Sequence, residues 1–247
     1  DVLLWCLGIA SSNNFDVSLK EPDVSPLSLQ GPRAPDVMKK IFGSWTSDLK
    51  FFYFKECSLE NIPVVVARSG WSGEAGYEIY LRDGKLGNRL WEIIMEAGKE
   101  FNIAPAAPSQ INRVEGGMLS YGSDMSLNEN PYDLNLGKFV HLEKKADFIS
   151  KKALEKIKFD GPKKELVGIE IQCDPFKDFV ADHLLLYFNN KISGKITSSI
   201  YSPRLKKNIG LAVINKRSKE FIEGYSVKIN DESFNIRIKE LPFLRNK

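Results

Sequence analysis

After Asp160-Gly161-Pro162 the chain changes character. Gly and Pro together punctuate it there. From Glu165 onward the apolar runs have strand length: Val167–Ile171, Leu184–Phe188, Ile192–Ser199, Ile209–Ile214, Ser226–Ile229 and Phe234–Ile238. Asn189-Asn190 and Asn230-Asp231 supply turn chemistry between neighbouring runs. This tail is expected to form a compact antiparallel β unit of barrel type, which sets a domain boundary near residue 162 and divides the chain into residues 1–162 and 163–247. With 247 residues, 43% of them hydrophobic, the chain is long enough to bury a core in one large domain or two ordinary ones.

Upstream the pattern is mixed. Leu3, Leu4, Leu7 and Ala10 follow helical spacing, and Ser11-Ser12-Asn13-Asn14 ends that helix. Ser25 to Gly31-Pro32 reads as a short strand closing in a turn, and Ala34 to Phe42 as a helix with Pro35 in its first turn. Phe51–Phe54, Pro63–Ala67 and Tyr77–Leu81 are β-rich runs. Residues 85–101 give the clearest helix, with Leu86, Leu90, Ile93, Ile94, Ala97 and Phe101 on one face. A second helix is expected from Ser109, with an apolar stripe of Ile111, Val114, Met118 and Tyr121. Its other face carries Arg113, Gly116, Gly117 and Ser120. A third helix is expected over Ser150 to Ile157.

Composition removes several function classes. No apolar run reaches the roughly 18 residues of a membrane-spanning helix, so no membrane partner is expected. The 35 basic and 32 acidic residues are interspersed and give a net charge of +3. Nucleic-acid binders concentrate charge in a patch, so nucleic acid is not an expected partner. Cys6, Cys57 and Cys173 are far apart, and His141 and His183 stand alone, so no metal site is expected. Three isolated cysteines fit free thiols in a reducing cytoplasm. The chain begins at Asp1 and runs straight into apolar residues, without the basic start and cleavage site of a signal peptide. Residue 1 is read as a cut inside a larger polypeptide.

Two features carry chemistry. The polar loop Arg68-Ser69-Gly70-Trp71-Ser72-Gly73-Glu74-Ala75-Gly76 joins two β-rich runs. It lacks the Gly-Lys-Ser/Thr and following helix of a phosphate loop. A plain hairpin with a long loop fits this pattern; so does a carboxylate, Glu74, that accepts paired N–H donors from a flat heterocycle. On the expected Ser109 helix, Arg113 beside two small residues suits binding of a carboxylate or a polarised ring oxygen. Adjacent glycines there suit either a ligand or a close helix contact, since each costs about 1 kcal/mol in a helix interior.

The loop, continued through Tyr77-Glu78-Ile79-Tyr80-Leu81, resembles the folate-site loop of the glycine cleavage T-protein family of tetrahydrofolate-dependent aminomethyl- and methyltransferases. Asn112-Arg113-Val114-Glu115-Gly116-Gly117, running on to Tyr121-Gly122-Ser123-Asp124-Met125, resembles the family's Arg-x-Glu helix and its Tyr-Gly-x-Asp ending. Asn135–Val140, Asp147–Leu154, Gly194–Ser198, Ser202-Pro203 with Leu205, and Asn208-Ile209-Gly210 match later segments in order. The resemblance implies an α+β fold: T-protein-like folate-binding domains, incomplete at the N-terminus, followed by a C-terminal antiparallel β-barrel domain. Glu21–Leu27, Asp48–Phe52 and Leu119–Met125 are most similar to a branch of the family that takes a methyl group from a sulfonium.

The same resemblance implies tetrahydrofolate as cofactor and a sulfonium or methylated amine as small-molecule substrate. It implies that Glu74 holds the pterin ring and that Arg113 binds folate, with Tyr121 and Trp71 lining the site, though both aromatics also suit core packing. Arg245 falls where the family's C-terminus approaches the site, and it also reads as a frayed basic end. Glu115 and Glu78 are expected in structural ion pairs or facing solvent. The family's catalytic acidic residue belongs to an N-terminal segment that this chain lacks, so no catalytic residue is assigned. An iron–sulfur assembly branch of the superfamily carries Lys-Gly-Cys-Tyr-x-Gly-Gln-Glu. Cys57, in Lys55-Glu56-Cys57-Ser58, does not match it.

Overall fold

The structure, a computed structural model, describes residues 2–180, 183–216 and 223–244. The chain divides into two compact units. One holds residues up to Gly70 together with Glu74–Ala106, and the other holds Trp71–Gly73 together with the chain from Ala107 onward. The glycine-rich loop therefore contributes three of its residues to the second unit. No helix among the described residues is long and apolar enough to cross a membrane.

The first unit contains α1 (Val2–Ser12), β1 (Ser25–Gln30), α2 (Ala34–Phe42), α3 (Trp45–Asp48), β2 (Phe54–Leu59), β3 (Ile62–Ala67), β4 (Gly76–Leu81) and α4 (Gly87–Gly98). Its strands form one antiparallel sheet in the order β1-β4-β3-β2. Alternation decides which face is buried. Ile62, Val64 and Val66 of β3 and Tyr77, Ile79 and Leu81 of β4 pack with Val37 and Met38 of α2 and with Leu90 and Ile94 of α4. By contrast, α1 buries none of its residues.

Two expectations need correction here. The Phe51–Phe54 run is not a strand: β2 starts only at Phe54, and Phe52 takes a left-handed φ of 65° in a turn. That turn is fixed by backbone bonds between Phe52 and Arg68 and between Arg68 and Tyr53. It leaves the aromatic rings exposed. The helix expected over 85–101 is an α-helix only from Gly87 to Gly98, flanked by single 3₁₀ turns. Its stripe still faces the sheet.

The second unit contains α5 (Gln110–Glu115), α6 (Lys151–Asp160) and six strands: β5 (Lys164–Ile171), β6 (Leu185–Phe188), β7 (Lys191–Ser202), β8 (Lys207–Asn215), β9 (Tyr225–Ile229) and β10 (Glu232–Lys239). All six expected strands are present, and they close into an antiparallel barrel in the order β10-β5-β8-β7-β6-β9. Closure leaves no free edge. Strand β8 is buried on both faces. Ala212 and Ile214 join one core with Val167, Ile169, Leu186 and Val227. Ile209, Leu211 and Val213 join another with Val114 of α5 and Leu134. A strand covered on both sides reads as a continuous apolar run, and Ile209–Ile214 does.

The helix after Ser109 is shorter than its stripe implies. It ends at Glu115, because Gly117 adopts φ 65° and turns the chain away. A Cβ on Gly117 would stand 3.2 Å from Leu241, so this glycine serves both the turn and the packing of the tail.

The next segment is pinned to the barrel. Asp133 accepts the Lys164 N–H, and its own carbonyl accepts from Leu166. Glu129, almost wholly buried, takes two bonds from Ser126 and faces Lys195 at 3.4 Å and Lys164 at 3.6 Å. Burial alone would raise the Glu129 carboxyl, but the Ser126 bonds and the two lysines hold it below the usual 4.5. A depressed carboxylate pKa adds stability above the unfolded-state pKa and loses it as pH falls through the folded-state pKa. Between about pH 5 and about pH 3 the unfolding free energy should therefore fall more steeply in the native protein than in Glu129→Gln, as urea titrations at each pH will show.

Candidate functional site

The glycine-rich loop is held on the first unit by polar contacts that its glycines permit. Gln30 at the end of β1 donates from Nε2 to the carbonyls of Ser69 and Tyr77, at 3.2 and 3.3 Å. Its amide lies where a Cβ on Gly70 or Gly76 would stand, so both positions must be glycine for this bridge to form. Arg68 donates to the Tyr77 hydroxyl at 2.8 Å and lies over its ring, and that hydroxyl donates to the Thr46 carbonyl. Burial raises the Tyr77 phenol above its ordinary value, while Arg68 pulls it down. Glu78 accepts from Ser69 and from Tyr80, so it is a structural acceptor of hydroxyls rather than half of an ion pair. Glu74 sits half-buried in this loop on the first unit.

In the second unit Ser109 caps α5, its hydroxyl accepting the Asn112 N–H at 3.2 Å. The cap sets the helix phase so that Arg113, Val114 and Glu115 are all buried. The Arg113 guanidinium is saturated on nearly every side. Nε donates to Gln110 at 2.8 Å, and Nη1 donates to the Met118 carbonyl at 2.9 Å and to Asp124 at 2.5 Å. Nη2 donates to Ser198 at 2.8 Å. Four of five donors are thereby engaged, and one Nη2–H is left. The rings of Trp71 and Phe179 lie 5.7 and 5.5 Å from the guanidinium carbon, within cation–π range.

Asp124 is as fully committed as its partner. One oxygen accepts from Arg113 and from the Ser120 N–H at 2.9 Å. The other accepts from Thr197 at 2.7 Å and from Ser198 at 2.6 Å. Arg113, Asp124, Thr197 and Ser198 have no solvent exposure. Glu115 makes the structural pair expected of it: Ser202 donates to it at 2.6 Å, and Arg204 lies 2.9 Å away.

Of the other expected residues, Trp71 is in the second unit with 41% of its surface exposed, and Tyr121, in the turn that Asp124 closes, is 68% exposed. Arg245 lies outside the described residues; Phe243 and Leu244 just before it donate backbone N–H to the Glu115 carbonyl at 2.9 and 3.3 Å. Sequence reasoning did not find Gln110, Phe179, Thr197 or Ser198. The signals for the last two are the family-like segment Gly194–Ser198 and a run of three consecutive hydroxyls, Thr197-Ser198-Ser199, inside a strand. Chemically, the arrangement offers a half-buried carboxylate on one unit. On the other it offers two exposed aromatic faces and a buried, fixed arginine behind one of them. Among the described residues no group of three or more His, Cys, Asp or Glu could hold a metal ion.

Comparison with known proteins gives this arrangement a family. The family model described as the GCVT N-terminal domain matches residues 4–144, and that of the glycine cleavage T-protein C-terminal barrel domain matches residues 164–244. The chain belongs to the glycine cleavage T-protein family. A dimethylsulfoniopropionate demethylase of Ruegeria pomeroyi is 38% identical over 221 residues, covering 87% of this chain and 58% of that protein. An aminomethyltransferase of Caldanaerobacter subterraneus subsp. tengcongensis is 34% identical over 216 residues, covering 86% of this chain and 56% of that protein. The chain thus spans under three-fifths of the length of these relatives. The crystal structure of glycine cleavage system aminomethyltransferase T from Bartonella henselae matches with a TM-score of 0.78 at 22% identity, over 98% of this chain and 66% of that one. The family resemblance and the fold class read from sequence are both borne out.

A buried ion pair with saturated partners is costly to break from one side, by about 3–5 kcal/mol, because the survivor is left as an unpaired buried charge. Arg113→Met and Asp124→Leu should each cost about that much, and the double variant less than their sum. Equilibrium urea unfolding of the four proteins gives this cycle directly. Additive losses would mean that the pair carries no coupling.

Proposed function

We propose that this chain carries the folate-binding residues of a tetrahydrofolate-dependent methyltransferase that takes its methyl group from a sulfonium, dimethylsulfoniopropionate. Membership of the T-protein family and the 38% identity to a dimethylsulfoniopropionate demethylase support the reading. The observation that carries it within the chain is the pairing of an exposed Trp71 face with a guanidinium fixed behind it. A flat pterin suits such a face, and a carboxylate in the position of Glu74 suits the paired N–H donors along a pterin edge. Arg113, buried behind Trp71, serves the folate site from there and keeps the one donor its partners leave. Tyr121 and Arg245 are further folate-binding residues in this reading, carried over from the family resemblance alone. In the same reading the barrel, residues 163–247, is a domain within the compact unit that also holds the chain from Ala107.

The reaction asks for little acid–base chemistry. N5 of tetrahydrofolate attacks the sulfonium methyl carbon, a C–N bond forms, the C–S bond breaks, and its electrons leave on a neutral thioether. The N5 proton goes to solvent. A sulfonium is already activated, so catalysis rests on holding donor and acceptor in line. Exposed aromatic faces such as Trp71 and Tyr121 suit a sulfonium cation.

A second reading is an aminomethyltransferase that receives its one-carbon group from a lipoyl carrier protein. It is favoured by the aminomethyltransferase relatives at 34–36% identity. The two readings differ in donor. The natural polypeptide carrying these residues, given tetrahydrofolate, should form 5-methyltetrahydrofolate from dimethylsulfoniopropionate and none of its expected product from an aminomethyl-loaded lipoyl carrier. The reverse pattern would select the second reading.

The binding claim has its own test. Tetrahydrofolate affinity measured by calorimetry should fall roughly tenfold or more in Glu74→Gln, and likewise in Arg113→Lys, which keeps a cation for Asp124 but loses the planar fork. Unchanged affinity in both variants would remove the site assignment.

A further inference from the structure

We propose that Asp124 is the positioning residue for Arg113, itself fastened to the barrel. It receives the guanidinium on one carboxylate oxygen and is locked on the other by the Thr197 and Ser198 hydroxyls of β7. The inference rests on the folate reading above and specifies which group aims the arginine.

The geometry that carries it is a bulge. Strand β7 pairs with β8 in two registers, Ile196 opposite Ala212 but Ser198 opposite Leu211, so Thr197 is an extra residue. In a regular strand neighbouring side chains point to opposite faces. Here two neighbours reach the same atom, Asp124 Oδ1, at 2.7 and 2.6 Å. Bulges re-aim side chains in this way and are over-represented beside functional sites. Gly210 on β8 lets the strands approach at this point, since a Cβ there would stand 2.6 Å from the Ser198 carbonyl.

The consequence is a closed ring of bonds. Arg113 donates to Asp124 and to Ser198, and Ser198 donates to Asp124. The ring fixes the guanidinium plane, and with it the direction of its one uncommitted N–H. An arginine held only by Gln110 and the Met118 carbonyl would have no charged anchor. Ordinary packing needs neither a bulge nor four donors on a single buried carboxylate. A carboxylate so saturated is a device for fixing a direction.

The test must separate aim from stability. Affinities for tetrahydrofolate and for tetrahydropterin, which lacks the aminobenzoyl-glutamate part, are measured by calorimetry in the native chain, Arg113→Lys, Asp124→Asn, Glu74→Gln and Val227→Ala. Val227→Ala destabilises a core remote in contact from Asp124 and controls for general loosening. The ratio of the two affinities should move in the same direction, and by similar factors of roughly tenfold, in Arg113→Lys and Asp124→Asn, and stay constant in Val227→Ala. Should Asp124→Asn fail to fold, Ser198→Ala keeps the ion pair and removes one side of the ring, and it should move the ratio the same way by a smaller factor. If Arg113→Lys shifts the ratio and neither Asp124→Asn nor Ser198→Ala does, the positioning role is overturned while the folate reading stands. An unmoved ratio in Arg113→Lys with weakened binding in Glu74→Gln likewise overturns it. Native affinity in both Glu74→Gln and Arg113→Lys would bring down the folate reading itself.

Discussion

The ion pair between Arg113 and Asp124 organises the second unit. Neither group touches solvent, so each would be prohibitively costly to bury without the other. Their contact closes the chain from α5 to the Tyr121-Gly122-Ser123-Asp124 turn into a loop, and the Thr197 and Ser198 hydroxyls fasten that loop to the barrel. The path of the intervening residues results from this closure. Gly116 and Gly117 end the helix early enough for Met118 to turn its carbonyl to Arg113 and for Ser120 to turn its N–H to Asp124. Glu115 repeats the device with opposite charge, joined to Ser202 and Arg204 farther along the same barrel hairpin. Two buried charges of opposite sign, two residues apart on one short helix, bind it to β7 more specifically than Val114 could by packing alone.

The loop on the first unit obeys a different rule. Its glycines are needed for what stands beside them: the Gln30 amide lies against Gly70 and Gly76 and ties the loop back to the edge strand. Arg68, Tyr77 and Thr46 form a second tie. The loop is thus anchored at both ends on a rigid sheet, a common way for a scaffold to present functional side chains from a loop. Glu74 lies between those anchors, and Trp71–Gly73 are grouped with the other unit.

How far the sequence was legible depended on whether local pattern or distant contact decided each element. The six barrel strands were readable because alternation and turn residues are local signals, and even the doubly buried β8 showed as an unbroken apolar run. The Ala34–Phe42 helix was readable for the same reason. The Phe51–Phe54 run misled, since four consecutive aromatics carry strand propensity although a positive φ at Phe52 turns the chain there and only Phe54 enters β2. The helix after Ser109 was over-extended because Met118 and Tyr121 continued its period beyond two glycines that end it. Arg113 and Glu74 were singled out through family motifs. The partners of Arg113 on β7 were not, because Ser198 lies 85 residues away and acts through a bulge, which leaves no periodic trace.

The most direct measurement is the side-chain ¹H–¹⁵N spectrum of Arg113, assigned through Arg113→Lys, recorded while tetrahydrofolate is titrated into the chain. A guanidinium pinned by Asp124 and Ser198 should give a slowly exchanging Nε–H signal with distinct Nη resonances before ligand is added. That signal should shift saturably as tetrahydrofolate binds. A rapidly exchanging Nε–H in the free chain would contradict the buried pair, and a pinned signal that stays still through saturation would contradict the place of Arg113 in the folate site.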